Sequence, residues 1–151
     1  INLNGLQNIS THIEFIQFMR IPFIDCFPTL ENLVNLHITK CKLKSLQFLF
    51  KLPNLELLEV ADNSIQNIRP LQQLTKLKIL DLSRNNVKAA WQLSYLPPSL
   101  EVAAFAENPF ILANDFEQQV GQLQIKFKII CFNKKGFNDV KMTRKEVNNL
   151  I

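Results

Sequence analysis

Asparagine recurs at nearly constant intervals through the middle of the chain. Asn63 and Asn85 each close the frame L-x-x-L-x-φ-x-x-N, in which φ is an apolar residue, and Asn108 closes a degenerate copy of it. Cys41 holds the same position in an earlier copy, and the steps between the four positions are 22, 22 and 23 residues. Self-similarity at this period indicates stacked structural repeats, so the sequence predicts a solenoid.

Each repeat is predicted to contribute one short strand and one return segment. Leu58 and Val60 alternate along the strand, so both side chains are expected to face the interior. Ile65, Ile68 and Leu71 follow at three-residue steps and are expected to line the same interior from the return side. A single repeat cannot cover its own apolar face, and neighbouring repeats must therefore stack.

The asparagine position is predicted to be structural. There the chain turns inward after the strand, and a side-chain amide can bond buried main-chain groups of its own and adjacent coils. An apolar residue would leave those groups unpaired, at a cost of about 1–3 kcal/mol each. A cysteine thiol is small and donates weakly, so it can replace the amide. This structural ladder comprises Cys41, Asn63, Asn85 and Asn108.

These repeats resemble the leucine-rich repeat family, and specifically its 22-residue, phosphatase-regulator-like class. Asn108-Pro109-Phe110 resembles the N-P-L that closes the last repeat of that class, and residues 137–143 (FNDVKMT) resemble the L-D-G-x-x-V-T of its C-terminal cap. The resemblance implies an α/β fold. We expect a right-handed solenoid of about five coils, with a parallel concave sheet, an irregular or short-helical convex side and a C-terminal cap.

A single leucine-rich repeat domain is expected over residues 1–151. Residues 1–29 are interpreted as one or more degenerate N-terminal coils, residues 30–110 as regular repeats and residues 111–151 as the cap. A cap is expected because the last coil would otherwise expose a bare apolar cross-section.

The outward positions of the predicted strands align in columns that a partner can contact. Leu57, Ile79 and Val102 are expected to form an exposed apolar column, with Glu59 and Asp81 as two stacked negative charges. We predict that a partner helix or apolar edge binds there and places basic side chains against the carboxylates; an ordinary exposed sheet surface is the alternative. The predicted partner-binding residues are Asn35, His37, Leu57, Glu59, Ala61, Ile79, Asp81, Ser83, Arg84, Val102 and Ala104.

Basic residues concentrate in the predicted cap. Seven of the 17 Lys and Arg residues lie there: Lys126, Lys128, Lys134, Lys135, Lys141, Arg144 and Lys145. Such a surface suits RNA phosphates or an acidic protein surface, with a merely solvated surface as the alternative. A smaller basic set is expected near the ends of the strands, at Lys40, Lys42, Lys44 and Lys88.

The motifs of common catalytic, metal and membrane sites are missing from the sequence. It has no Gly-rich phosphate loop, no G-x-S-x-G and no H-E-x-x-H, so we expect no catalytic residue and no cofactor. His12 and His37 lack further ligands at metal-site spacing, and His37 is expected to be an exposed strand residue. No apolar run is long enough to span a membrane. Three cysteines without paired spacing favour a reducing compartment, such as the cytoplasm, nucleus or cilium.

The family resemblance implies protein binding without catalysis. Proteins of this architecture include subunits of spliceosomal ribonucleoproteins, light chains of ciliary dynein, phosphatase regulators and messenger-RNA export receptors. The main hypothesis is a non-enzymatic scaffold that binds protein partners within a larger assembly, of the ribonucleoprotein or ciliary-motor type. The alternatives are an RNA-binding domain of the export-receptor type, which would use the basic cap, and a phosphatase regulatory subunit.

Overall fold

Six short parallel strands lie side by side in chain order and form one sheet. The computed structural model describes residue 3 and residues 5–6, 12–21, 27–116, 118–119 and 129–131. The strands are β1 (Phe15–Met19), β2 (Asn35–Thr39), β3 (Leu57–Glu59), β4 (Ile79–Asp81), β5 (Val102–Ala104) and β6 (Ile129–Cys131). Because each strand pairs in parallel with the next, the chain must return to the same end of the sheet between successive strands. This arrangement confirms the predicted solenoid of strands and return segments.

Short 3-10 helices form the return side where the structure describes it. They span Gln47–Lys51, Arg69–Gln73, Ala90–Tyr95 and Pro109–Leu112. The backbone N–H of Leu49 bonds the carbonyl of Leu46, and that of Leu52 bonds the carbonyl of Leu49, both at 3.0 Å. A 3-10 helix aligns every third residue, which explains why all three leucines are buried. The expectation of a short-helical return side is confirmed.

The interior is lined by the residues predicted to face inward. Leu58, Val60 and Leu80 are fully buried on the sheet side, and Ile65 and Ile68 are fully buried on the return side. The buried side chains of successive coils form one continuous apolar cluster. Stability in such a stack comes from each coil and its contacts with its neighbours, so the inward leucines hold the sheet in place.

The asparagines bond main-chain groups of two adjacent coils, as predicted. Asn63 Oδ1 accepts hydrogen bonds from the backbone N–H groups of Cys41 and Leu43, each at 3.0 Å. Its Nδ2 donates to the carbonyls of Ile38 at 2.6 Å and Val60 at 3.0 Å. Asn85 and Asn108 repeat the pattern one and two coils further along. The side chains therefore connect coils that share no covalent link at this point.

Cys41 fits the same position by a different bond. Its side chain is buried, and its Sγ–H donates to the carbonyl of Thr39 at 3.2 Å. The residue immediately before each ladder position, namely Lys40, Asp62, Arg84 or Glu107, adopts a left-handed conformation, as does Arg20 after β1, with φ between 52° and 58°. This conformation turns the chain inward at the end of each strand.

A second buried amide connects coils on the return side. Gln92 Oε1 accepts from the N–H of Ile68 at 3.1 Å, and its Nε2 donates to the carbonyl of Gln66 at 3.0 Å. No repeat pattern pointed to this residue, because glutamine appears at the position in only one coil. Its partners lie one coil earlier. Gln92 therefore connects the coil of β4 to the coil of β3, as the asparagines connect adjacent coils on the other side.

We expect Gln92→Leu to lower the free energy of unfolding by about 1–3 kcal/mol, since it leaves the buried N–H of Ile68 unpaired at similar side-chain volume. Gln72→Leu is the matched control, because Gln72 is exposed on the neighbouring coil, and a change below about 0.5 kcal/mol is expected there. Urea denaturation measures both values. Equal effects at the two positions would contradict a bracing role for Gln92.

The predicted division of the domain stays a prediction. The regular repeats of residues 30–110 lie within the described range, whereas most of residues 1–29 and of the predicted cap at 111–151 lie outside it. The number of coils and the cap therefore stay predictions.

Candidate interaction surface

The sheet has one face toward the core and one outer face, and the strand register aligns the outer residues in columns. Asn35, Leu57, Ile79 and Val102 are paired in succession across β2 to β5, as predicted. Phe15 of β1 extends the same column by one strand. His37, Glu59, Asp81 and Ala104 form the second column, which Gln17 extends. We call this surface the outer sheet face.

The expected exposure of the central apolar column is wrong. Leu57 and Val102 are each only 8% exposed, and Ile79 is half-buried. Paired residues of neighbouring strands lie about 4.8 Å apart, so large side chains of one column cover each other's flanks. Ala61 and Ala104, which were also predicted to contact a partner, are buried as well.

The two acidic side chains of the second column are engaged within the protein. Asp81 is 1% exposed, and its Oδ1 accepts a hydrogen bond from the N–H of Ser83 at 2.9 Å. Glu59 Oε2 lies 2.7 Å from Nδ1 of His37, and both side chains are largely buried. His37 is therefore not the exposed residue expected from the sequence. Glu59 and Asp81 are likewise not the free charges expected from the sequence, and their contact with a partner stays a prediction.

At the ends of the central strands the charged residues form ion pairs with each other. The guanidinium of Arg84 donates two hydrogen bonds to the carboxylate of Asp62, one of them from Nη2 to Oδ2 at 2.6 Å. Glu107 Oε1 lies 3.8 Å from Nη1 of the same arginine. The hydrogen bonds to Asp62 raise the pKa of Arg84, so the group stays fully charged. Two carboxylates against one guanidinium leave these three side chains with a net charge of −1.

Across β1 to β5, the exposed apolar residues of the outer sheet face lie on β1. Phe15 is 54% exposed and Met19 is 53% exposed, whereas Ile16 between them is buried. The ring of Phe15 packs beside the imidazole of His37, with ring centroids 5.1 Å apart. Neither Phe15 nor Met19 was predicted as a site residue. We call these two residues the β1 apolar pair.

The smaller basic set is visible in the structure, whereas the basic cap is not. Lys40, Lys42, Lys44 and Lys88 are all exposed in the segments that follow β2 and β4. The seven basic residues of the cap lie outside the described residues: Lys126, Lys128, Lys134, Lys135, Lys141, Arg144 and Lys145.

The described part of the chain contains neither a metal-binding cluster nor a membrane-spanning helix. Within it, no three His, Cys, Asp or Glu side chains come together in a group suited to a metal ion. Across the same residues, no helix has the length and apolar character needed to cross a bilayer.

Comparison with known proteins supports the repeat architecture. Residues 53–95 match the family model described as Leucine Rich repeats (2 copies). The matched segment contains β3 and β4 and the two return helices that follow them. No curated protein matches the chain significantly. The match supports the leucine-rich repeat family, whose repeats serve in protein–protein interaction, and the 22-residue class stays a prediction.

Proposed function

We propose that this chain is a protein-interaction module that binds an apolar segment of a partner on the outer sheet face, centred on the β1 apolar pair. The observation that carries the proposal is the exposure of Phe15 and Met19 on a face where the other large apolar side chains of β2 to β5 are half-buried or buried. Fully burying a side chain of this size contributes about 1.5–3 kcal/mol, and each of these two is half-exposed already. The pair therefore contributes on the order of 2–3 kcal/mol on binding.

The surrounding surface favours a rigid platform. The β1 residues pair with β2 over five positions, from Phe15 opposite Asn35 to Met19 opposite Thr39. The backbone of paired strands is already ordered and loses little further conformational freedom when a partner docks, which lowers the cost of association. A scaffold subunit of a ribonucleoprotein or ciliary-motor assembly is the finer form of this proposal, suggested by the family resemblance.

The test is the double variant Phe15→Gln/Met19→Gln, which replaces both apolar side chains by a polar one and adds no charge. We expect partner binding to fall by about tenfold or more, because the apolar contact is lost. Co-purification from native cell extract, followed by titration of the recovered partner, measures the loss. The thermal melt is expected to stay within about 2 °C, since both side chains are half-exposed.

Phe50→Gln is the matched control. Phe50 is 61% exposed and lies on the return side, in the helix at Gln47–Lys51. Its replacement is expected to leave partner binding unchanged. Undiminished binding by the β1 double variant, or an equal loss with Phe50→Gln, would refute the assignment of this surface.

A further inference from the structure

Four exposed basic residues follow the ends of β1 and β2, which is the end of the sheet where Met19 lies. Arg20 directly follows Met19, and its N–H bonds the carbonyl of Thr39 at 3.1 Å, so the ends of β1 and β2 remain side by side. Lys40 follows Thr39, and Lys42 and Lys44 continue the segment. We call the set Arg20, Lys40, Lys42 and Lys44 the basic rim.

The fold forces the lysines of the basic rim outward. Burial alternates residue by residue, because Cys41 and Leu43 are buried whereas Lys40, Lys42 and Lys44 are exposed. Both intervening N–H groups bond Asn63 Oδ1, which fixes the inward side of the segment. Three positive charges therefore project from one short stretch of chain.

The basic rim has no acidic partner among the described residues. Among the described residues, none of its four side chains forms an ion pair, in contrast to Arg84, which pairs with Asp62 and Glu107. Like charges held this close repel each other and disfavour the folded state slightly. An anionic ligand would remove the repulsion, and its attraction to the rim would raise the association rate.

The apolar pair and the basic rim together define the chemistry of the partner. Phe15 and Met19 are four residues apart on one strand, about 13 Å, and the positive charges begin just beyond Met19. At the other end of β1, Glu14 is exposed and is the only charged residue among the described residues that adjoin the strand. Resting on the function proposed above, we propose that the partner segment is acidic: apolar anchors contact Phe15 and Met19, and Asp or Glu side chains contact the basic rim.

A peptide fits this surface better than RNA does. Bases stack on aromatic rings, but the ring of Phe15 already packs beside His37 and the second exposed anchor, Met19, is aliphatic. Thioether side chains adapt to varied apolar partners, as at other peptide-binding surfaces. Carboxylates next to apolar anchors match both parts of the surface at once.

The test is a selection of random peptides, displayed on phage, for binding to the full chain. The affinity of one selected peptide is then measured by fluorescence anisotropy. Enriched sequences are expected to combine aromatic or aliphatic residues with Asp and Glu. Lys40→Glu/Lys44→Glu is expected to weaken that peptide about tenfold, through lost attraction and new repulsion. Arg69→Glu/Lys76→Glu, which reverses two exposed basic residues on other coils, is the charge-matched control and is expected to bind normally. Increasing salt is expected to weaken binding by the unaltered chain, which gives a second measurement independent of any variant.

Several outcomes would overturn the inference. Selection of neutral or basic peptides, selection of none, or binding that resists both the charge reversal and salt would each refute an acidic partner. Binding of a polyuridine oligonucleotide that the same reversal abolishes, with no peptide selected, would assign the basic rim to RNA. If the β1 double variant still loses the native protein partner in these cases, the proposed function stands and only the acidic character is wrong.

Discussion

Replacing Asn85 with alanine is expected to lower the free energy of unfolding by about 3–4 kcal/mol, because several buried main-chain groups lose their partner together. Asn85 Oδ1 accepts from the N–H of Ile65 at 3.0 Å, and its Nδ2 donates to the carbonyls of Val60 at 2.9 Å and Leu82 at 3.1 Å. Alanine offers neither donor nor acceptor. In a chain of this size the loss corresponds to a decrease in Tm of about 10 °C.

The adjacent asparagine provides the control for this prediction. Asn86 is half-buried, and its backbone N–H, which the substitution keeps, bonds the carbonyl of Ile65 at 2.9 Å. Asn86→Ala is expected to change the free energy of unfolding by less than about 0.5 kcal/mol. Urea denaturation and thermal melting of both variants measure the contrast. A loss below about 1 kcal/mol for Asn85→Ala would show that the ladder does not connect the coils energetically.

Replacing Phe110 with alanine is expected to lower the free energy of unfolding by about 3–5 kcal/mol, the usual cost of truncating a fully buried phenylalanine. The ring is fully buried. Its centroid lies 6.2 Å from that of Phe105 and 5.8 Å from that of Phe116, so it packs between the last described repeat and the segment that follows it. The cavity would therefore open between two units that stack on each other.

Leu112→Ala is the control that separates the loss of buried packing from a general effect of truncating a large side chain in this helix. Leu112 belongs to the same helix, Pro109–Leu112, but is 80% exposed. A change below about 0.5 kcal/mol is expected. Similar losses for Leu112→Ala and Phe110→Ala, measured by denaturant unfolding, would contradict the packing shown by the structure.

The interior of the fold follows from the sequence because its periodicity is a packing requirement. A residue such as Leu58 or Leu80 has one acceptable side of a strand, and the 22-residue step repeats that constraint in every coil. The asparagine bonds were equally predictable, since a buried amide at a turn needs main-chain partners. Gln92 escaped prediction because its bonds depend on the separation of two return segments, which the sequence pattern does not report.

The exposure of the outer sheet face was beyond the sequence pattern for a different reason. Alternation predicts that Leu57 and Asp81 point away from the core, and the strand register confirms that alignment. It does not predict how far neighbours cover them, which depends on side-chain packing across strands. The exposed phenylalanine and methionine of β1 were missed because a shift of one residue exchanges the two faces of a strand. The alternation of Phe15, Gln17 and Met19 with Ile16 and Phe18 was the available signal.

The most direct measurement places a photo-crosslinking phenylalanine analogue at position 15 or at position 50 and irradiates the chain bound to its native partner. Both positions hold a phenylalanine that is more than half exposed, on opposite sides of the repeats. If the partner binds the outer sheet face, we expect a covalent adduct with the partner from position 15 and none from position 50. Adducts from position 50 alone would show that the partner binds the return side, and would contradict the assignment of binding to the outer sheet face.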